Sequence, residues 1–338
     1  MDNVAQFNNQ TFSVGSAGIG RMPTKDAIAG SGLAFLEGEL EKRDPRLLEP
    51  LVSVTWMRDI VAKTGGGWVE YSSNTFVDYA GAGGNARGVI RGQTNNIPVI
   101  QANVTKDIFK VYEWSNILKV PFVDQAKLQN IGRSLDEMLD KGIRLNYNKS
   151  IDYIVYTGLP DENVYGLLNN PNVAASLVDA GASTKTTWKD KTPDEILNDV
   201  NQVINDTWVT SEYDLSGMAN HILIPPEQYT YIVSTKVSAA GNMSILEFLL
   251  QNNLARNQGR DLSIMPSRWC IGAGTGGKDR MFAYVNDEDR VNFDLPVPLS
   301  RIMTNPDVTQ LSYLTAYAAL VGQVKFLYYQ CCRYKDGI

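Results

Sequence analysis

The chain has 338 residues, 43% of them hydrophobic, a length and composition typical of a globular protein with one large core or two smaller ones. Its 31 Lys and Arg against 37 Asp and Glu give a net charge of −6, which argues against a protein that neutralises the phosphates of a nucleic-acid duplex. It has no evenly spaced cysteine set, no run of roughly 18 uncharged apolar residues and no basic-then-apolar leader, so we expect a reducing compartment, no membrane span and no export signal.

The first 50 residues predict little core. Residues 1–26 are rich in Asn, Gln, Gly and Ser, which predicts an arm that orders only against a partner. A short helix is predicted over residues 27–42, where leucines recur at helical spacing before Asp44 and Pro45 end it. The following run to Trp56 predicts extended chain.

Residues 68–81 and 97–114 predict two strands of a long hairpin. The glycine-rich connection between them, residues 80–96, is far longer than an ordinary hairpin turn, so we expect a projecting functional loop. Arg87 and Arg91 lie four residues apart in this loop and could bind a phosphate or a neighbour's carboxylates, with simple solvation as the alternative. Val89 and Ile90 form its only apolar cluster.

The strongest helix prediction covers residues 124–156, with Asp124 as its cap. Its predicted apolar stripe consists of Leu128, Ile131, Leu135, Met138, Leu145, Ile151 and Ile154. About 30 residues at about 1.5 Å each give a rod of about 45 Å. Gly132 and Gly142 lie inside it despite their low helix propensity, which predicts close packing against another element.

The remaining chain predicts a mixture of helices and short strands. Residues 158–187 read as loops, Thr192 to Glu195 and Ser244 to Glu247 form capping boxes that open helices, and residues 220–225, 268–274 and 280–286 predict strands. No sequence repeats at a fixed period. The predicted fold class is α+β.

No pattern in the chain predicts catalysis, a cofactor or a metal site. The single histidine, His221, reads as a structural strand residue. Residues 272–277 match G-x-G-x-x-G, but a strand rather than a helix is predicted after them, so they read as a glycine-rich hairpin turn. Cys270, Cys331 and Cys332 read as buried thiols, and the acidic residues 286–289 as a solvated turn.

Three segments carry a resemblance to a known family. These are SIDYIVYTGLPDENVYGLLNNPNV (150–173), where an Asp-bearing helix meets a glycine and a G-L-L-N-N-P turn, ILIPPEQYTYI (222–232) and GQVKFLYYQCCRYKDGI (322–338). With the order of arm, hairpin, rod and α+β region, the whole chain resembles the major capsid proteins of tailed bacteriophages, which have the Johnson fold of phage Hong Kong 97.

The resemblance implies a domain plan. It places an N-terminal arm at 1–50, an extended loop at 69–96, a peripheral domain at 51–68, 97–170 and 300–321 that carries the spine helix, and an axial domain at 171–299 and 322–338. Members of the family cross-link through a loop lysine in some cases, but here no lysine occurs from Trp68 to Thr105, so no such link is expected.

The resemblance also implies a function. Copies of the chain would assemble as hexamers and pentamers into an icosahedral shell around phage DNA, with portal, scaffolding and decoration proteins as further partners. The virion capsid, and the host cytoplasm during assembly, would be its location. On this interpretation Arg87, Val89, Ile90 and Arg91 are the candidate intersubunit contacts.

Two other functions compete with this one. The first is a nanocompartment shell of the encapsulin type, which would enclose a cargo enzyme. The second, from a different class, is a nucleotide-binding enzyme that uses Gly272 to Gly277.

Overall fold

The computed structural model describes residues 53–82, 99–130, 135–238 and 242–338. The predicted arm at 1–26, the predicted helix at 27–42 and the hairpin tip with Arg87, Val89, Ile90 and Arg91 lie outside these residues. Gly132 also lies outside them.

Helices and strands alternate through the described residues. The α-helices are α1 (Trp56–Asp59), α2 (Phe122–Asn130), α3 (Leu135–Thr157), α4 (Pro193–Thr210), α5 (Pro226–Ser234), α6 (Ile245–Asn252) and α7 (Leu254–Asn257). The strands are β1 (Val61–Thr64), β2 (Tyr71–Ala82), β3 (Val99–Lys110), β4 (Tyr112–Pro121), β5 (Gly158–Leu159), β6 (Val164–Tyr165), β7 (Ala175–Leu177), β8 (His221–Ile224), β9 (Ser263–Pro266), β10 (Arg280–Tyr284), β11 (Val291–Leu295), β12 (Val297–Asp307), β13 (Ser312–Val321), β14 (Val324–Phe326) and β15 (Cys332–Asp336). Among the described residues no helix is long and apolar enough to cross a bilayer.

The predicted long hairpin is confirmed. β2 and β3 form an antiparallel pair whose register runs from Tyr71 opposite Lys110 to Ala82 opposite Val99. The second strand is shorter than predicted, because the chain leaves the hairpin after Lys110 and starts β4 at Tyr112. β4 belongs to a different sheet, so residues 97–114 serve two sheets rather than one.

One face of the sheet β12-β13-β4 packs against α3. Leu118, Val120 and Tyr317 from the sheet share a buried cluster with Ile143 from the helix. Trp114 also contacts Tyr147 edge to face, with ring centroids 5.2 Å apart. α3 therefore buries part of one side against the sheet β12-β13-β4.

The long helix differs from its prediction in three details. α2 begins at Phe122, so Asp124 lies in its first turn and is not its cap. The buried side of α3 includes Ile143, Tyr147, Ile151 and Val155, at a spacing of four. Of the predicted stripe, Ile151 and Ile154 are buried, whereas Leu135, Met138 and Leu145 are half-buried; Ile131 and the side chain of Leu128 lie outside the described residues. A Cβ at Gly142 would meet no atom within 4 Å, so the predicted close packing there was wrong.

A five-stranded sheet, in the order β7-β15-β10-β8-β9, forms the second core with α4 and α6. The capping box at the start of α4 is confirmed, since Thr192 accepts from the amide of Glu195 and the Glu195 carboxylate accepts from the amide of Thr192 at 2.8 Å. Ser244 caps α6 by accepting from the amide of Glu247 at 3.2 Å. These local signals were readable because both partners lie within one turn.

The strand predicted at 268–274 was wrong. Arg268–Cys270 is a short 3-10 helix, and a turn follows it. Gly272 and Gly276 have φ values of 64° and 73°, left-handed conformations that interrupt extended chain. The strands predicted at 220–225 and 280–286 are confirmed as β8 and β10. The α+β class is confirmed.

The sheet β1-β11-β14 lies between these two parts. Its buried side chains, among them Val291, Phe293 and Phe326, join one cluster with Ile151 and Val155 of α3 and Phe282 of β10. This shared cluster connects α3 to the five-stranded sheet.

Candidate assembly surface

One face of the β2–β3 hairpin is an exposed apolar surface. Directly opposed and alternate residues share a side of an antiparallel pair. The register therefore places six large apolar side chains on one side. Tyr71 is the one beside the root, and the other five form what we call the apolar hairpin face: Val77, Tyr79, Ile100, Val104 and Ile108. Each of these residues is between 47% and 77% exposed.

The other face of the hairpin turns toward the rest of the subunit near its root. Ser72, Asn74 and Phe76 are half-buried there. The Phe76 ring meets Tyr328 edge to face, with centroids 6.2 Å apart. A cleft of about 510 Å³ lies at the same level between hairpin and body, lined in part by Asn74, Phe76 and Arg290. The hairpin is thus anchored at its root and projects beyond it.

An isolated two-stranded sheet is marginally stable in water, and a contiguous apolar surface on it marks a place where another surface binds. The apolar hairpin face alternates with polar residues such as Asp78 and Asn103 on the opposite side. On its own side the polar pair Thr75 and Lys106 separates Ile108 from the other four residues. The chemistry of the apolar hairpin face therefore suits a protein partner that buries it.

A second exposed apolar group lies at the turn that joins β12 to β13. Val308 is 81% exposed and Leu311 is 64% exposed. Phe122, the first residue of α2, is 56% exposed and its amide donates to the carbonyl of Leu311 at 2.9 Å. Large apolar side chains thus lie on two projecting hairpins.

The G-L-L-N-N-P turn closes the end of α3. Asn169 accepts from the amide of Gly166 at 2.7 Å and donates to the carbonyl of Thr157 at 2.7 Å. Gly158 has a φ of +78°, and a Cβ there would lie 2.1 Å from the carbonyl oxygen of Val164. A Cβ at Gly166 would lie 2.5 Å from the backbone of Tyr156. Both glycines are required by close backbone approach in the β5–β6 hairpin.

Asp152 of α3 joins distant segments. Its side chain is buried and accepts from the amides of Thr55 at 2.9 Å and Trp56 at 3.1 Å, at the start of α1. It also accepts from the indole of Trp269 at 2.8 Å, with Arg268 3.4 Å away. This carboxylate is the Asp of the motif at 150–173, and its role is structural.

Asp59 forms a second buried polar centre beside it. Arg58 donates to both carboxylate oxygens, at 2.6 and 2.9 Å, and the Tyr156 hydroxyl donates to one of them. Burial alone would raise the pKa of Asp59, but the contact with His221 and the bonds from Arg58 and Tyr156 outweigh it and hold the pKa below its usual value. His221 itself is buried in β8, with Nε2 3.4 Å from Asp59, as expected of a structural histidine.

The glycine-rich turn at 272–277 is occupied by the protein's own carboxylates. The amide of Gly272 donates to Asp279 at 3.0 Å and the amide of Thr275 donates to Asp336 at 2.9 Å. The next element is strand β10, and a dinucleotide site needs a helix whose free amides face the pyrophosphate. The geometry therefore gives no support to the nucleotide-binding alternative.

Asp336 is also the partner of a buried arginine. Arg280 donates to its two oxygens at 2.7 and 3.0 Å and lies over the Tyr334 ring at 4.2 Å. Burial alone would raise the pKa of Asp336, but the bonds from Arg280 and Thr275 outweigh it, so the pKa lies below its usual value.

The thiols match their structural interpretation, and Asp287, Glu288 and Asp289 lie exposed in a turn. Cys270, Cys331 and Cys332 are free and buried, and burial raises the pKa of each thiol. Across the part of the chain that the structure describes, no group of three or more His, Cys, Asp or Glu side chains could hold a metal ion.

Residues 84–338, well over half of the chain, match the family model described as major capsid protein. The chain belongs to the major capsid protein family. As a major capsid protein it is a structural protein of the virion capsid and self-assembles into an icosahedral shell. The family match favours this function over the nanocompartment alternative.

Solved capsid structures share the fold of this major capsid protein. The capsid of Myoviridae phage XM1 aligns with a TM-score of 0.73 and 17% identity, covering 89% of this chain and 98% of that one. The mycobacterium phage Bobi structure aligns with a TM-score of 0.56 and 11% identity, covering 90% and 97%. A virus-like particle from Pyrococcus furiosus aligns with a TM-score of 0.50 and 9% identity, covering 83% and 91%. At these identities the likeness shows the fold alone.

Comparison with curated protein sequences finds no match.

The sequence-predicted contacts and the apolar hairpin face lie on the same hairpin. Arg87, Val89, Ile90 and Arg91 belong to the tip, outside the described residues, and stay a prediction. The five residues of the apolar hairpin face were missed, although a signal was present: apolar side chains recur at alternate positions at 77 and 79 and again at 100, 104 and 108. Only the register shows that the two sets share a side.

Proposed function

We propose that this major capsid protein assembles as hexamers and pentamers around packaged phage DNA, and that the apolar hairpin face is a principal contact with a second copy of the chain. The observation that carries the proposal is the exposure of Tyr79, Ile100 and Val104, each between 66% and 77%, on a hairpin that contacts the described part of the body at its root. A closed shell needs contacts on several sides of each subunit, and projecting hairpins add contact area without a larger core.

The expected energy of this contact suits reversible assembly. Burying the exposed part of one large apolar side chain contributes about 1–2 kcal/mol, so the five of the apolar hairpin face contribute about 5–10 kcal/mol before the cost of association. A contact of that size is weak alone and strong when each subunit makes several. Errors in packing can then dissociate before the shell closes.

The domain plan is part of the proposal. The cluster around α3 and the sheet β12-β13-β4 supports a peripheral domain, and the core of the five-stranded sheet with α4 supports an axial domain. The hairpin β2–β3 supports the extended loop. The chain is then held to its neighbours without a cross-link from a lysine of the loop at 69–96, because no lysine occurs from Trp68 to Thr105. Lys106 and Lys110 of the hairpin follow that stretch, in the part of β3 that pairs near the root.

We also propose that the protein has no catalytic role, since the family is structural and two amides of the glycine-rich turn already donate to Asp279 and Asp336. Portal, scaffolding and decoration proteins are proposed as further partners, with assembly in the host cytoplasm. The net charge of −6 fits DNA that is enclosed without sequence-specific binding. Arg87 and Arg91 at the hairpin tip are proposed to pair with acidic residues of a neighbour.

The test compares two charge-matched variants. Val77→Asp with Val104→Asp places two carboxylates on the apolar hairpin face, and Gln101→Glu with Asn103→Asp places two on its opposite side. Wild type and the second variant should form closed shells by electron microscopy. The first should remain as folded, unassembled subunits, checked by circular dichroism.

Two results would contradict the proposal. Normal shells from the Val77 and Val104 variant would show that the apolar hairpin face does not form the contact between subunits. Failure of wild-type protein to form capsomers at any salt concentration or pH would contradict the expectation that this chain forms shells without other proteins.

A further inference from the structure

The hairpin joins the rest of the subunit through a glycine run on one side. Gly65, Gly66 and Gly67 precede β2 with φ values of +114°, +110° and +72°, and a Cβ on any of them would meet no atom within 4 Å. Glycine adopts these conformations without steric cost. Residues 65–67, which we call the glycine hinge, can therefore absorb a rotation of the hairpin.

A single buried cation holds the root of the hairpin beyond this hinge. Lys325 of β14 is 1% exposed and forms an ion pair with Asp294 of β11, the neighbouring strand. Its Nζ also donates to the Ser72 hydroxyl at 2.6 Å and lies 5.0 Å from the centre of the Phe109 ring. Ser72 and Phe109 are directly opposed in the β2–β3 register. One ammonium group thus contacts both strands of the hairpin at the same level.

Further contacts at the root lie on the C-terminal side, where the hairpin passes into β4. The amide of Val111 donates to the carbonyl of Glu70 at 2.9 Å, and Gln323 donates to the carbonyl of Lys110 at 3.1 Å. Lys110 also pairs with Glu162 at 3.2 Å, but both side chains are about half exposed, so this pair is screened by solvent. These contacts fix the pivot. The angle about it is restrained further by the Phe76 ring of β2, which packs edge to face against Tyr328.

We propose that Lys325 is a positioning residue that sets the angle of the hairpin, with Asp294 holding the ammonium in place and Ser72 and Phe109 receiving it. Without this clamp the glycine hinge and the cleft of about 510 Å³ under the hairpin allow a range of angles. With it the apolar hairpin face is presented in one orientation before any neighbour arrives. Such preorganisation lowers the conformational cost of a contact.

The inference concerns the single subunit and does not depend on the proposed assembly contact. Tyr79→Cys on the hairpin and Asn205→Cys on α4 give two exposed positions for spin labels, while the native thiols are buried. Labelled full-length subunits, diluted into unlabelled ones, report the hairpin-to-body distance distribution by pulsed electron spin resonance.

Two changes weaken the clamp without leaving an unpaired charge. Ser72→Ala removes one bond and keeps the ion pair, and Lys325→Met with Asp294→Leu replaces both charges by apolar groups. The matched control is Ser73→Ala, one residue along and on the opposite, exposed side of β2. Circular dichroism checks that each variant is folded.

The expected result is a distance distribution about twofold broader in Ser72→Ala, broader still in the double variant, and unchanged in Ser73→Ala, as follows when the discrete contact at a hinge is removed. Distributions as narrow as wild type in both clamp variants would overturn the inference. Should the double variant fail to fold, the Ser72→Ala distribution alone decides.

Discussion

Replacing Asp152 with alanine should strongly destabilise the subunit, because one buried carboxylate serves three uncharged donors from distant parts of the chain and also the guanidinium of Arg268 at 3.4 Å. The uncharged donors are the amides of Thr55 and Trp56 and the indole of Trp269, at 2.9, 3.1 and 2.8 Å. Alanine removes the acceptor and leaves the shape of α3 unchanged. The donors then stay where the fold holds them, with little water to replace the oxygen atoms.

The magnitude follows from the number of donors left unpaired. A buried donor without a partner costs about 1–3 kcal/mol, and the bonds from Thr55 and Trp269 are only partly buried, so we expect a loss of about 3–6 kcal/mol for Asp152→Ala. Asp152→Asn retains one oxygen for the two backbone amides but turns an NH₂ group toward the indole of Trp269. That variant should lose about 1–3 kcal/mol. Against a total of about 5–15 kcal/mol, the alanine variant lies near the limit of folding.

The assay is urea unfolding of dilute, unassembled subunits, followed by tryptophan fluorescence and far-UV circular dichroism. The free energy of unfolding comes from the midpoint and slope. Asp161→Ala, an exposed acid shortly after α3, is the control and should change stability by less than about 0.5 kcal/mol. A loss below about 1 kcal/mol for Asp152→Ala would refute the reasoning, because it would mean that the three donors find water or other acceptors.

Two further predictions concern backbone space and pH. Gly158→Ala should lower the free energy of unfolding by more than about 2 kcal/mol, because its Cβ would collide with the carbonyl of Val164. Gly142→Ala, in open space inside α3, should raise the free energy of unfolding by up to about 1 kcal/mol. Equal effects of the two substitutions would contradict this explanation. The folded-state pKa of Asp336 is depressed, so its stabilisation is present above the unfolded pKa of about 3.9 and is lost as pH falls through the lower folded value. Acid unfolding of Asp336→Asn should therefore be less steep below about pH 4 than that of wild type, and identical slopes would exclude this contribution.

The long hairpin and the helix caps could be predicted from the sequence because each depends on neighbours in the chain. The strands of the hairpin carry their own alternation, and Thr192 and Glu195 bond within one turn. The glycine-rich turn was recognised as unsuited to a dinucleotide for the same reason, since a strand was predicted after it. The strand predicted at 268–274 was wrong, because residue type alone does not reveal the left-handed φ values of Gly272 and Gly276.

The apolar hairpin face could not be predicted, because it depends on register. A shift of one residue between β2 and β3 would move Val104 to the side of Asp78 and break the surface. The clamp depends on contacts across about 250 residues, since Lys325 meets Ser72 only after β14 and β11 have paired. The buried side of α3 is a similar case, because the sheet β12-β13-β4 selects which apolar residues are covered.

The sequence by itself determined the class of the protein: α+β elements, a projecting hairpin, no pattern for catalysis, and motifs that resemble a capsid subunit. Those features are local, and local preferences are set by residues a few positions apart. The tertiary structure alone decided which side chains meet. It placed Asp152 under three distant donors, and it placed the ammonium of Lys325 between the two strands of the hairpin. Contacts between remote segments depend on the three-dimensional path of the whole chain, and no spacing in the sequence encodes that path.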